Sequence, residues 1–335
     1  LSIGAHLLAK GIRVPEVYAV SDDRSRYLQQ DLGTVSLYDA VAEGRARASA
    51  AMAGSGCGVG KTVRCPVQSG MRTEDMSHAG RPGMERETTL TEAYSADERR
   101  LLAGAMAALP EIQMLGAESL DFGTVCPVPE FDRRSIMFDL NYFKYCFLKV
   151  TGMHFDEMLL EDDFEALADD LLSVGCKGFM YRDFQARNVM LSGGLPYFID
   201  FQGGRRGPVH YDVASFVWQA KACYPPALKE ELISVYLDSL RRYCPVDGAG
   251  FRDELKLFVL LRTLQVLGAY GLRGYFERKR HFLESIPYAV ANVRELPRES
   301  MSAYPYLSEV LAAIADDSRF SFAAEGQVNE VDSKG

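Results

Sequence analysis

One stretch constrains this chain more than any other. Tyr181-Arg-Asp-Phe-Gln-Ala-Arg-Asn188 sets Asp183 five positions before Asn188. After a short hairpin, Tyr197-Phe-Ile-Asp-Phe-Gln202 sets Asp200 at the end of an apolar run, seventeen positions after Asp183. Phosphoryl transfer asks little covalent chemistry of a protein. It asks for one carboxylate to orient and deprotonate an attacking hydroxyl, and for oxygen ligands to hold Mg²⁺ on nucleotide phosphates. One or two carboxylates usually suffice for the metal, because phosphate oxygens and water complete its shell. Asp183, Asn188 and Asp200 supply that inventory. An Asp and Asn at this spacing recur by chance, and a lone Asp200 would serve as well as a helix cap. Their order, with strand-like Pro196–Ile199 running into Asp200, is what makes them a site.

The totals narrow the function classes. At 335 residues the chain suits two lobes, or a domain with extensions, better than one simple core. Its 47% hydrophobic and 25% charged residues are ordinary for a globular enzyme. A net charge of −9 argues against a nucleic-acid partner, which would call for a basic face. Seven scattered cysteines form neither a disulfide framework nor a zinc pattern, and point to a reducing cytoplasm. No apolar run reaches the ~18 residues of a membrane span, so no membrane partner is expected. The first residue is Leu1, which points to processing or to a fragment of a longer product.

Along the chain, Leu1–Lys10 has apolar residues at helical spacing and a stop at Gly11. Val17–Val20 and Arg26–Gln30 read as a hairpin, followed by a short helix from Ser36. Residues 42–90 turn to Ala, Gly, Ser, Met and Arg without a period. Within them Ser55-Gly-Cys-Gly-Val-Gly-Lys-Thr62 imitates a phosphate loop, but Ser55 stands where that motif needs Gly and no strand feeds it. A flexible insertion fits better. Ser95-Ala-Asp-Glu98 is a capping box that opens a helix toward Gln113, and Leu120–Pro129 reads as loop. An aromatic-rich helix spans Ile136–Lys149, and an amphipathic one spans Glu161–Val174. Helices are expected at Leu228–Tyr243, Phe251–Tyr270, Gly274–Ser285 and Met301–Ile314, with Val259–Leu267 apolar nearly all round and hence core. Arg273, Arg278, Lys279, Arg280 and His281 form a basic cluster, either a cleft rim or a solvated face. His210 and His281 have no partners at metal-ligand spacing.

The run 181–215, with its Asp-Phe-Gln and Gly207-Pro-Val-His-Tyr-Asp212 wording, resembles the aminoglycoside phosphotransferase and choline kinase-like family of small-molecule kinases. Within it the wording looks most like the cell-wall amino-sugar kinases, which phosphorylate N-acetylmuramate or N-acetylglucosamine at the anomeric hydroxyl. The resemblance implies an α+β, protein-kinase-like two-lobe fold, with a truncated N-lobe and a mainly helical C-lobe. Residues 1–41 would be a partial N-lobe and hinge, 42–94 the insertion, 95–315 the C-lobe and 316–335 a disordered tail. ATP and Mg²⁺ are the implied cofactors and a sugar-like small molecule the implied substrate.

By the same resemblance Asp183 matches the catalytic base, and Asn188 and Asp200 match the metal ligands. Gln30, Asp31 and Leu32 fall where hinge backbone faces adenine, although an ordinary hairpin and turn account for them equally. Asp139 and Asn141 are the candidates for an acidic helix face toward the acceptor, the alternative being a solvated face. Gly203–Gly207 would be the counterpart of an activation segment. Its Arg205 and Arg206 would meet phosphate or an acidic sugar by bidentate hydrogen bonds, or else face solvent. Tyr181 stands where these enzymes usually carry His; it and Arg182 would support the loop, and Asp212 would cap its helix and brace the loop. The family's phosphate-covering loop and its Lys–Glu pair find no counterpart before Gly11, so a missing N-terminal segment is expected. That gap keeps two alternatives open beside the amino-sugar kinase: an aminoglycoside or choline-like kinase, and an inactive nucleotide-binding or regulatory module.

Overall fold

Side-chain caps open four of the longer helices, at Ser95, Asp132, Asp156 and Asp247. The computed structural model describes residues 1–44, 94–296 and 301–322. The expected insertion at 42–94 lies outside the described residues except at its edges, and the glycine run 55–62 lies outside them entirely. Helix α1 (Ser2–Ala9) buries Ile3 and Leu7, and Gly11, at φ +80°, ends it. Strands β1 (Val17–Val20) and β2 (Tyr27–Gln29) form an antiparallel hairpin that is largely exposed. Helix α2 covers 37–44. Helix α3 (Ala96–Leu115) starts at the Ser95/Glu98 capping box, with Ser95 N–H on Glu98 Oε2 at 2.7 Å.

A single turn, α4 (Phe122–Val125), interrupts the stretch expected as loop. Helix α5 (Arg133–Phe143), capped by Asp132, runs on into a π-helical turn at Lys144–Leu148, and α6 (Glu157–Ser173) is capped by Asp156. Strands β3 (Lys177–Met180), β4 (Val189–Ser192), β5 (Leu195–Phe198) and β6 (Arg205–Pro208) follow. Helices α7 (His210–Val217), α8 (Pro226–Leu240), α9 (Gly248–Gly271), α10 (Arg280–Leu283), α11 (Ile286–Arg294) and α12 (Pro305–Asp316) complete the chain. Among the described residues the strands make three antiparallel pairs, β1–β2, β3–β6 and β4–β5. The architecture is α+β and mostly helical.

The centre of the helical part is α9. By length and composition the segment Gly248–Phe276 would suit a membrane, yet 61% of its apolar window is buried inside the protein. Its glycines let a second helix come close. A Cβ on Gly271 would lie 2.0 Å from the Cys146 carbonyl oxygen, and one on Gly268 2.8 Å from the Tyr142 carbonyl carbon. The π-helical turn after α5 packs directly against this bare surface.

The N-terminal segment is tied to the β4–β5 hairpin. Phe198 N–H donates to Arg13 O at 2.9 Å, and Arg13 Nε donates to Pro196 O at 2.9 Å. On the other edge Leu191 N–H donates to Val35 O at 2.9 Å, and Ser36 bridges Met190. The hairpin that leads to Asp200 is therefore held along both edges.

Several expectations need correction. Residues 205–208, expected within an irregular activation-type segment, are strand β6, paired Met180 with Arg205 through Lys177 with Pro208. The expected helix Gly274–Ser285 is a π-helical turn at Leu272–Phe276 followed by short α10. Helix α11 was not anticipated, and α12 begins at Pro305, whose fixed φ suits a first helical turn. The tail expected to be disordered from 316 is ordered through 322. Phe320, 2% exposed, packs 5.2 Å from Phe147, and Arg319 Nη1 donates to Thr151 O at 2.7 Å.

Candidate active site

Strand β3 delivers the chain into the loop 181–188, and that loop is braced from behind. The Tyr181 side chain is buried and its hydroxyl donates to Ile199 O, so it ties the loop to the end of the hairpin that carries Asp200. Burial pushes its phenol well above the usual range, which keeps the donating proton in place. Asp212, fully buried, accepts Tyr181 N–H at 2.9 Å, Arg182 N–H at 2.8 Å and the Gln113 side-chain amide at 2.9 Å. Burial raises the Asp212 carboxyl to about 6, against the pull of those three donors. It does not cap its helix, which starts at His210 after Val209 with no side-chain cap.

The three residues that carry the proposed chemistry meet. Asn188 Nδ2 donates to the Asp183 backbone carbonyl at 2.8 Å and lies 3.5 Å from Asp200 Oδ2. Ile199 N–H donates to Asn188 O at 3.1 Å, a further stitch between the two loops. Asp183 Oδ1 accepts from Gln185 Nε2 at 2.6 Å, and Asp200 Oδ1 accepts from Gln202 Nε2 at 2.5 Å. Arg182 and Asp200 both sit at positive φ, +77° and +70°, a conformation that non-glycine residues adopt only when their surroundings impose it. Asp183 is half-buried, Asn188 buried and Asp200 exposed.

The donor set fits a hard divalent cation. Asn188 commits its amide nitrogen to Asp183 and Asp200, which leaves its oxygen for a ligand, and Asp200 adds an exposed carboxylate. Among the described residues no three His, Cys, Asp or Glu side chains gather as a metal site. Two protein oxygens, from Asn188 and Asp200, would fit an ion such as Mg²⁺, whose shell phosphate and water complete.

The other sequence candidates are more dispersed. Asp139 is 1% exposed and takes both carboxylate oxygens to Arg182 Nη2, at 3.0 and 3.1 Å, so the solvated-face alternative fails for it. Asn141, two positions on, points to a different side of the helix. Arg205 is partly buried, donating to Ser135 Oγ at 3.3 Å and Gly203 O at 3.4 Å; burial and the neighbouring Arg182 lower its pKa. Arg206, the next residue of β6, is exposed on the opposite face. Gln30 N–H donates to Glu16 O at 2.8 Å inside the hairpin, the Asp31 carboxylate accepts Gly33 N–H at 2.8 Å, and Leu32 is buried.

Sequence reasoning missed three supporting side chains. Gln113 braces Asp212. Gln219 Oε1 accepts Ala186 N–H at 2.9 Å within the loop. Arg262, in the stretch read as apolar all round, donates to Tyr211 OH at 2.9 Å and Ser215 Oγ at 3.1 Å. Gln113 and Arg262 each betray themselves as a polar residue on an apolar helix face, which when buried must find a partner.

Comparison with known proteins shows the family and the fold. A family profile described as phosphotransferase enzyme family matches residues 2–246. An N-acetylmuramate/N-acetylglucosamine kinase of Neisseria meningitidis serogroup B is 26% identical over 236 residues, 68% of this chain and 68% of its own. A kinase of the same description from Pseudomonas putida is 24% identical over 231 residues, 64% of this chain and 62% of its own. In structure, an ethanolamine kinase of Plasmodium vivax aligns with a TM-score of 0.52 at 11% identity, which shows the fold alone, over 90% of this chain and 73% of its own.

Proposed function

This chain belongs to the phosphotransferase enzyme family, and from that premise we propose that it is a small-molecule kinase that moves the terminal phosphoryl group of ATP to a hydroxyl of an amino sugar. One observation carries the proposal: Asn188 joins the backbone of Asp183 to the carboxylate of Asp200, bringing a base and two oxygen ligands to one place. Asp183 would accept the acceptor's hydroxyl proton and orient that oxygen for in-line attack. Asn188 and Asp200 would hold Mg²⁺, which when bound screens the charge of the phosphates. Gln30, Asp31 and Leu32 remain the proposed adenine contacts, and Arg205 and Arg206 the proposed acceptor or phosphate contacts.

The amino-sugar acceptor rests on the two relatives of that activity and on Arg205, a partly buried cation close to the loop that holds Asp183. That cation disfavours a cationic acceptor such as choline. The test is an acceptor screen that follows ADP release with N-acetylated amino sugars, aminoglycosides and choline, with Asp183→Asn as control. The expected result is release that depends on an N-acetylated sugar and is lost in the variant. Release that depends on choline or an aminoglycoside instead would overturn the acceptor class.

A further inference from the structure

Asp139 was a candidate for touching the acceptor. We infer instead that Asp139 is a positioning residue: its buried ion pair with Arg182 holds the backbone turn that aims Asp183. The inference rests on Asp183 being the base proposed above.

Arg182 is the residue immediately before Asp183, and its φ of +77° persists only if the surroundings impose it. Two buried carboxylates do so from two directions. Asp212 takes the Arg182 backbone N–H at 2.8 Å, and Asp139 takes the guanidinium, with Nη2 at 3.0 and 3.1 Å from its two oxygens. The Asp139 side chain is 2% exposed and that of Arg182 is 17% exposed. The Arg182 guanidinium also lies over the Tyr211 ring, 5.8 Å from its centroid. On α5 Asp139 stands among buried Ile136, Leu140 and Phe143, so its carboxylate faces inward and is already engaged.

The pair does more than neutralise a buried charge. Arg205 also faces Arg182, and Asp139 is a counter-charge common to both. Removing the Asp139 charge leaves the desolvated Arg182 without the carboxylate it is hydrogen-bonded to. The guanidinium would then swing out and release the peptide between Arg182 and Asp183. Displacements of about 1 Å at a reacting group cost rate on the order of 100-fold.

The test uses the full chain with Asp139→Asn, Arg182→Gln, the double variant and Asp183→Asn. It reads ADP release against acceptor concentration, and amide hydrogen exchange. Asp139→Asn is expected to lower kcat about 100-fold, with the acceptor KM within about threefold. Arg182→Gln should match it, and the double variant should be no slower than the slower single. Exchange should rise at the amides of Tyr181 and Arg182, which Asp212 holds, while α5 and α9 stay protected. If Asp139→Asn does not fold, Arg182→Lys, which keeps the charge but not the fork, should give an intermediate loss of kcat.

A raised acceptor KM with kcat retained would make Asp139 an acceptor ligand and overturn the inference. Unchanged exchange at Tyr181 and Arg182 would overturn it whatever the rates. An Asp183→Asn enzyme as fast as wild type would overturn the base assignment separately.

Discussion

The two loops of the site use the same unusual backbone and hold it in opposite ways. In the loop 181–188, Arg182 at φ +77° is gripped by buried carboxylates, Asp212 behind the backbone and Asp139 on the side chain. In the turn after β5, Asp200 at φ +70° is exposed, and among the described residues its carboxylate is held by Gln202 at 2.5 Å and Asn188 at 3.5 Å. Buried braces are costly to assemble but pre-organise the group they hold, whereas an exposed carboxylate remains cheap to ligate. In the proposed reaction, the side that handles the proton is set before ligands arrive. The side that handles the metal is left for the cation and phosphates to complete.

The contrast can be broken experimentally, most sharply at the metal side. Asp200→Asn should lower the rate about 10²–10³-fold, the scale for losing one preorganised electrostatic group. Its thermal midpoint should stay within about 2 °C of wild type, because the side chain is exposed. Asp212→Ala should cost stability as well, about 3 kcal/mol in urea unfolding, since two backbone N–H groups and Gln113 lose their acceptor in a buried site. Stability loss in the first and none in the second would reverse the comparison.

The next effect is in pH. The Asp212 carboxyl is raised to about 6 by burial. Its folded pKa lies above its ordinary value of 3.8, so the stability contributed by its protonation is complete below pH 3.8 and is lost as pH rises through about 6. Activity should run the other way. Below about pH 6 the protonated carboxyl grips Tyr181 and Arg182 less well, and kcat should fall about tenfold per pH unit. A kcat that stays flat between pH 5 and 8 would show that the brace does not tune the base. The smallest effect is expected at Gln202→Ala, within about threefold in rate and 0.5 kcal/mol in stability, because that residue is exposed. A large loss there would mean that the metal side is also prebuilt.

What the sequence showed and hid follows from the range of each interaction. Asp183, Asn188 and Asp200 were legible because hairpin and loop bring them together within one short stretch. The Ser95/Glu98 box and the hairpin Val17–Gln29 are equally local. Asp139 was read as one of a pair facing acceptor or water, although its place among Ile136, Leu140 and Phe143 already put it on an apolar face. Its partner lies 43 residues away and no local pattern announces it. Strand β6 escaped for a similar reason: Gly203-Gly-Arg-Arg-Gly207 has loop composition, and pairing with β3 on one edge and residues 129–131 on the other makes it a strand. Arg319 and Phe320 looked like part of a polar tail until the Thr151 carbonyl and the Phe147 ring supplied their contacts.

The central claim, that the loops of Asp183 and Asp200 form one phosphoryl-transfer centre, is tested most directly by ³¹P NMR of the products from ATP, Mg²⁺ and N-acetylmuramate. The account predicts a sugar phosphate resonance that grows with ADP in the wild type and is absent with Asp183→Asn or Asp200→Asn. Growth of that resonance at an undiminished rate in either variant would contradict it.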